Sequence, residues 1–195
     1  NLQDYSIENG TIVYEDEVGD KMAMIRNLDH SGTGDFTDEL FTLETETRGV
    51  VVFRNGNIDY LSNVDTKLDA DFAMDMQNRK FAFKDNKLTL NNLAVGFNGY
   101  VALPEEGIDI DMTFKALETE FKNVLSLIPT IYMNGYKELK SSGTMAFEGA
   151  VKGRMTDSLL PSFTVKLLVA NGMFQYPSLP QPVRNVQVDL AVSNP

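Results

Sequence analysis

From Leu68 to Met76 the sequence alternates without a break: Leu68, Ala70, Phe72, Met74 and Met76 stand against Asp69, Asp71, Ala73 and Asp75. Side chains along a strand point to opposite faces with a period of two, so this run has one apolar face and one wetted face. Fully extended, it reaches roughly 30 Å at about 3.3 Å per residue, long for a strand in a globular core. Ile108, Ile110, Met112 and Phe114 repeat the pattern against Asp109, Asp111 and Thr113. Val186, Val188, Leu190 and Val192 repeat it against Gln187, Asp189 and Ala191. A chain written this way must hide one side of long ribbons.

Asn-Gly pairs punctuate the ribbons. Asn9-Gly10-Thr11-Ile12-Val13-Tyr14, Asn55-Gly56-Asn57-Ile58-Asp59-Tyr60 and Asn171-Gly172-Met173-Phe174-Gln175-Tyr176 share one cassette at unequal spacings, which excludes a regular solenoid. Both central residues of a type I′ turn need positive φ, which Asn and Gly tolerate best, so each cassette predicts a hairpin. Further strands are expected at Met22 to Leu28, Leu40 to Thr47, Gly49 to Phe53, Phe81 to Phe83, Leu88 to Val95, Phe97 to Leu103, Leu139 to Val151 and Ser162 to Val169. About a dozen strands with hairpin turns and no strand-helix alternation predict an antiparallel meander.

One helix interrupts the pattern. Leu117, Phe121, Val124, Leu125 and Ile128 recur at i, i+4, i+7, i+8 and i+11, with Glu118, Glu120, Lys122, Asn123 and Ser126 on the other side. Glu118 and Glu120 suit the positive end of its dipole, and Pro129 stops it. Its polar face lacks the basic residues of a membrane-surface helix, so the apolar stripe is expected to cap one end of the sheet's apolar face.

Net charge is −11, from 17 Lys plus Arg against 28 Asp plus Glu. No basic face is left for nucleic acid or anionic membrane. Hydrophobic residues make up 43%, which fits a folded chain, and 195 residues suffice for one extended β domain over 1–195. No apolar run is long enough to span a bilayer and no basic leader opens the chain. Strand patterns that start and stop abruptly at both ends give the expectation of an interior piece of something longer. The absence of cysteine removes disulfides, thiol nucleophiles and thiolate metal sites.

Catalytic patterns are sparse. His30 is the sole histidine, and its neighbours Asp29 and Ser31 point to the opposite strand face, so they cannot complete a local triad. Gly32-x-Gly34 lacks the further glycine and the Lys-Ser/Thr ending of a phosphate loop. Asp69/Asp71 and Asp109/Asp111 are paired carboxylates of the type used in glycoside hydrolysis or calcium binding, yet each pair also reads as the wet side of an amphipathic strand. No enzyme activity, cofactor or metal is expected. Six of the nine methionines, Met22, Met24, Met74, Met76, Met112 and Met145, sit in strand patterns. Methionine fills irregular gaps and lines adaptable apolar surfaces.

The run Glu138 to Gly153, then Pro161-Ser162-Phe163, Asn171 to Tyr176 and Leu179-Pro180-Gln181-Pro182-Val183-Arg184-Asn185-Val186, resembles the AsmA-like family of bacterial envelope proteins. The likeness is best over 135–195 and looser from Leu61 to Ile128. The resemblance implies an inner-membrane anchor outside these residues, a periplasmic location, and an elongated curled antiparallel β-sheet forming a groove or half-open roll. It also implies, with the wider TamB-related group, phospholipid transport and outer-membrane biogenesis. It brings no catalytic motif. On this reading acyl chains are the partner, and strand alternation assigns the groove to Phe72, Met74, Met76, Ile108, Ile110, Met112, Met145, Phe147, Val165, Leu167, Val186, Val188 and Leu190. The rival readings are a β-rich interaction or adhesion module with a closed core and a carbohydrate-active β-sandwich.

Overall fold

The computed structural model describes residues 3–127, 139–156, 158–176 and 180–194. Among them the chain forms ten strands: β1 (Asp4–Asp16), β2 (Lys21–Thr33), β3 (Leu40–Asn55), β4 (Ile58–Asp75), β5 (Lys80–Leu90), β6 (Leu93–Ala102), β7 (Ile108–Glu120), β8 (Lys140–Met155), β9 (Ser162–Gln175) and β10 (Val183–Asn194). One short helix, α1 (Phe121–Leu125), lies between β7 and β8. All strands join one sheet in chain order, each antiparallel to its sequence neighbours.

The antiparallel meander is as the alternation predicts. The rival sandwich is not found: the described residues form no second sheet. Nor does the sheet close or strongly curl, so the expected roll gives way to an open sheet with β1 and β10 as its edges. Apart from α1 on β7 and β8, substantial contacts between elements join only adjacent strands. The solvent-accessible surface, 12811 Å², correspondingly exceeds the roughly 9,200 Å² expected of a compact monomer of this mass.

Several expected short strands prove to be single long ones. β4 alone runs 18 residues, from the second Asn-Gly cassette through the alternating Leu68 to Asp75 segment. Of the three cassettes, only Asn55-Gly56 makes a hairpin, with Gly56 at φ 58 and its N–H donating to the Asp20 carbonyl. Asn9-Gly10 lies inside β1 and Asn171-Gly172 inside β9. Both asparagines adopt positive φ, and the ladder shifts register beside each, between Ile7 and Gly10 and between Gly172 and Val169 as paired to Val186 and Val188. These are β-bulges. A bulge and a tight turn both need one residue in the left-handed region, so the same dipeptide serves either.

Bulges recur across the sheet. Asn27, Asn63, Asp85 and Asn185 have positive φ within β2, β4, β5 and β10, and Gly143 has it in β8, each beside a break in register. Side chains fill the gaps this leaves in the ladder. At the β4–β5 break, buried Asn86 accepts from the Asp71 N–H at 3.0 Å and donates to the Asp71 carbonyl at 3.2 Å. At the β5–β6 break, Asn98 accepts from the Asp85 N–H at 2.6 Å. The Asp29 carboxylate takes the Asn9 N–H at 2.9 Å.

The helix is shorter than its periodicity predicts. Leu117, Glu118 and Glu120 belong to β7, whose ladder with β8 continues through Thr119↔Met145 and Glu120↔Thr144. Glu120 is an extended N-cap without a side-chain bond, and no acidic residue occupies the first turn. Pairing with an existing strand edge satisfies those backbone groups outright, which outweighs a weak helical period. Phe121, Val124 and Leu125 remain helical, and Ile128 lies outside the described residues. Val124 and Leu127 pack on the buried cluster Leu93, Val95 and Ala116, with Phe114 and Phe147 beside it.

Asn86 offers a direct check on the bulge repairs. Asn86→Leu strips both side-chain partners from the partly buried Asp71 N–H and C=O, so unfolding stability should fall by about 1 to 3 kcal/mol. Urea titration should register this as a lower midpoint with an unchanged slope. Asn78→Leu, at an exposed turn, should cost under about 1 kcal/mol in the same assay.

Candidate functional site: an open apolar sheet face

The register places the alternating apolar positions of successive strands in rows on one face. One row runs Leu43, Phe72, Phe83, Gly99, Met112, Val151, Phe163 from β3 to β9. The next runs Phe41, Met74, Phe81, Val101, Ile110, Gly153. Ile108 faces Met155 beyond it. On the other side, Phe114, Gly149, Val165 and Val192 form a row, as do Ala116, Phe147, Leu167 and Leu190. Met145, Val169 and Val188 follow, then Gly172 and Val186.

Twelve of the residues assigned to the apolar face from alternation therefore share it. Met76 does not stand in a strand: it follows β4 in the turn, 48% exposed, its N–H donating to the Glu39 carbonyl. Of these twelve, Leu190 is the most exposed, at 47%, and Met145 the least, at 2%. Phe72, Met74, Ile108, Ile110, Met112, Phe147, Val165, Leu167 and Val186 are half-buried.

Aromatic rings knit this face together. Phe72 and Phe83 meet edge-on at 6.1 Å between centroids, Phe83 and Phe97 at 5.3 Å, and Phe114 and Phe147 tilt at 6.0 Å. The Phe114 ring lies over Gly149, where any Cβ would collide with it. Phe121 of α1 meets Phe174 of β9 at 5.0 Å, tying the helix to the face. The helix residues that reach the sheet are thus Phe121 and Val124, joined by Leu127, which the helical spacing did not single out. Phe83, Leu93, Val95, Ala116 and Val169 are buried on the same face and were also missed. The signal was present in the alternation of β5 to β9, but their strands are broken by bulges that reset its phase.

Methionine usage divides. Ile25 pairs with Val51, which pairs with buried Val64, so Ala23 and Ile25 belong to the apolar face. Met22 and Met24 alternate with them and lie on the opposite face.

That opposite face carries the charges. Asp109 accepts two bonds from Arg154 at 2.6 and 2.7 Å, Asp111 pairs with Lys152 at 2.9 Å, and Lys67 pairs with Asp69 at 2.9 Å. Lys166 faces Glu148 at 3.6 Å. The Arg154 bonds hold the Asp109 carboxyl below its ordinary value, and the Asp111 bond raises the Lys152 ammonium. Asp109 and Asp111 thus sit in cross-strand ion pairs, and Asp69 in a pair within its own strand. Among the described residues no group of three or more His, Asp or Glu side chains is placed to hold a metal.

His30 sits on the apolar face, half-buried. Its Nε2 is 2.8 Å from the Tyr5 hydroxyl and its Nδ1 is 2.8 Å from the Thr47 hydroxyl. Tyr5 also covers Gly32 and meets Phe36, which in turn meets Phe41. Asp29 and Ser31 face away from it, as alternation requires: Asp29 pairs across to Arg48 and Ser31 to Glu46. No helix among the described residues is long and apolar enough to cross a membrane.

The Asp109 environment has a pH signature. Its folded carboxyl titrates below the unfolded one, so the stabilisation it contributes is present above the unfolded carboxylate range and is lost as pH falls through the folded value. Side-chain carbon NMR should show Asp109 titrating below an ordinary aspartate, and Arg154→Gln should return it to that range. No family model matches the sequence, and no curated protein or solved structure matches it either.

Proposed function

We propose that the chain is a non-catalytic periplasmic segment of an AsmA-like protein, anchored in the inner membrane by a part outside these residues, whose apolar β face contacts phospholipid acyl chains during lipid transfer and outer-membrane assembly. The observation that carries this reading is a broad, continuous apolar face against which the described residues place no second sheet. In water such a face is costly, since apolar surface exposed to solvent loses about 25 cal/mol per Å². Each acyl methylene laid on it instead of in water gains about 0.8 kcal/mol. Two further features favour a flexible apolar guest over a fixed protein partner. Met74 and Met112, both half-buried, give the face an adaptable lining. The ion pairs Lys67–Asp69, Lys152–Asp111 and Arg154–Asp109 lie on the other side.

The groove belongs to this reading as well. Val124 and Leu127 cover the face near Leu93, Val95 and Ala116, closing one end, while the strip through Met74, Val101 and Ile110 stays half-exposed. The shelter is an open face stopped at one end.

Photo-crosslinking tests this. Benzoylphenylalanine at Met74 or Met112 should capture lipid from vesicles of phosphatidylethanolamine and phosphatidylglycerol, read as a mass adduct, whereas the same group at Lys115 on the charged face should capture little. Equal yields from both faces, or none from either under conditions where a lipid carrier is labelled, would refute the proposal.

A further inference from the structure

Where the strands end and turn back, the sheet has two rims, and they differ. Along one rim lie the turns 34–39, 76–79, 103–107 and 156–161, which join β2 to β3, β4 to β5, β6 to β7 and β8 to β9. Each of the four, or the residue beside it, leaves a large apolar side chain in solvent. Phe36 and Leu40 are 36% and 67% exposed, Met76 48%, Leu103 37%, and Leu159 and Leu160 52% and 73%. In turns 17–20, 56–57 and 91–92 on the opposite rim, only Val18 is of this kind. A contiguous set of exposed apolar groups marks an interaction site, where scattered ones do not.

The row is held in place. The Met76 N–H donates to the Glu39 carbonyl at 2.8 Å and the Leu103 N–H to the Arg79 carbonyl at 2.9 Å, so backbone bonds link the first turn to the second and the second to the third. In the fourth, the Thr156 N–H donates to the Leu159 carbonyl at 2.9 Å, and the Thr156 hydroxyl accepts from the Leu159 N–H at 3.1 Å. With strands about 4.8 Å apart, neighbouring turns on this rim stand roughly 10 Å apart, and the row is about 30 Å long. Its charge is one-sided. Asp35, Asp38, Glu39, Glu105 and Glu106 are exposed, and Arg79 is the one base among the described residues of these turns. Of the cations where strands meet the turns, Lys80 lies over the Tyr100 ring at 3.9 Å and Arg154 pairs with Asp109.

We propose that this rim docks on a bilayer surface rich in phosphatidylethanolamine, its apolar tips entering the headgroup layer and its carboxylates accepting hydrogen bonds from the lipid ammonium groups. Separate projecting tips suit a fluid surface that opens around each one, whereas a folded protein would have to offer a pit at every spacing. Apolar groups of this kind reach about 5–10 Å into the headgroup boundary. A primary ammonium both neutralises a carboxylate and donates to it. The quaternary ammonium of phosphatidylcholine has no N–H, and phosphatidylglycerol brings a like charge, so affinity falls in that order. The contact does not depend on whether the sheet face carries acyl chains.

The chain has no tryptophan, so one introduced indole reports its own surroundings. On vesicles of phosphatidylethanolamine and phosphatidylcholine, Leu40→Trp and Leu160→Trp should shift their emission to the blue and be quenched by lipid brominated near the headgroup. Val18→Trp, on the opposite rim, should do neither. In co-sedimentation of the unmodified chain, phosphatidylglycerol in place of phosphatidylethanolamine should lower the bound fraction. Leu40→Ser combined with Leu160→Ser should weaken partitioning by about tenfold or more with circular dichroism unchanged. No vesicle binding by the unmodified chain, an equal shift from Val18→Trp, or binding that strengthens with phosphatidylglycerol would overturn the proposal; the first outcome would leave a protein as the partner of the rim. Lipid capture at Met74 without a blue shift at Leu40 and Leu160 would remove the docking rim and spare the lipid-contacting face. Should the serine variant fail to fold, the three tryptophan variants decide alone.

Discussion

Ladder pairing between sequence-adjacent strands, and between no others among the described residues, is the constraint from which the rest of this molecule follows. Each strand spends its ladder on the strands before and after it, so the sheet grows sideways as the chain proceeds and never doubles back to cover itself. A sandwich buries one apolar face against another. Here the strands' apolar residues must rely on one another, on rings that cover Gly32 and Gly149, and on the short helix. That is why the driest cluster, Leu93, Val95 and Ala116, sits where Val124 and Leu127 come down on it, while Phe72, Ile110 and Val165 keep part of their surface in solvent.

Strands this long are interrupted by bulges. An extra residue bends the strand and increases the local twist, at the expense of ladder bonds. The sequence meets that expense locally. Asn86 supplies an amide that mimics a peptide group for Asp71, and Asn98 does half as much for Asp85. Asparagine thus plays two roles, adopting the left-handed backbone at Asn9, Asn27, Asn63, Asn171 and Asn185 and repairing the ladder beside such sites.

What could be read from residues alone was the period-two grammar. It identified β4, β7 and β10 and put twelve assigned residues on one surface. It failed where two structures share one local requirement. Asn9-Gly10 and Asn171-Gly172 demand positive φ, but only the neighbouring strand decides whether the chain turns back or carries on with a bulge. Leu117 to Glu120 has a helical period, but β8 offers it a ladder, and the ladder wins. The number of layers was equally hidden, because an amphipathic strand has the same pattern whether its oily side meets a second sheet or nothing. Met22 and Met24 illustrate a subtler loss: composition grouped them with Met74 and Met112, while register sends them to the other surface.

A serial order of strands also bears on how such a molecule changes over evolutionary time. In a Greek key, adding or deleting a hairpin scrambles which segments meet, and the fold must be rebuilt. In this arrangement a duplicated hairpin slots in like an extra slat in a blind, and both flanks keep their old companions. Cooperativity then propagates slat by slat, as in repeat arrays. Width becomes a freely adjustable dimension, set by how many pairs the gene encodes.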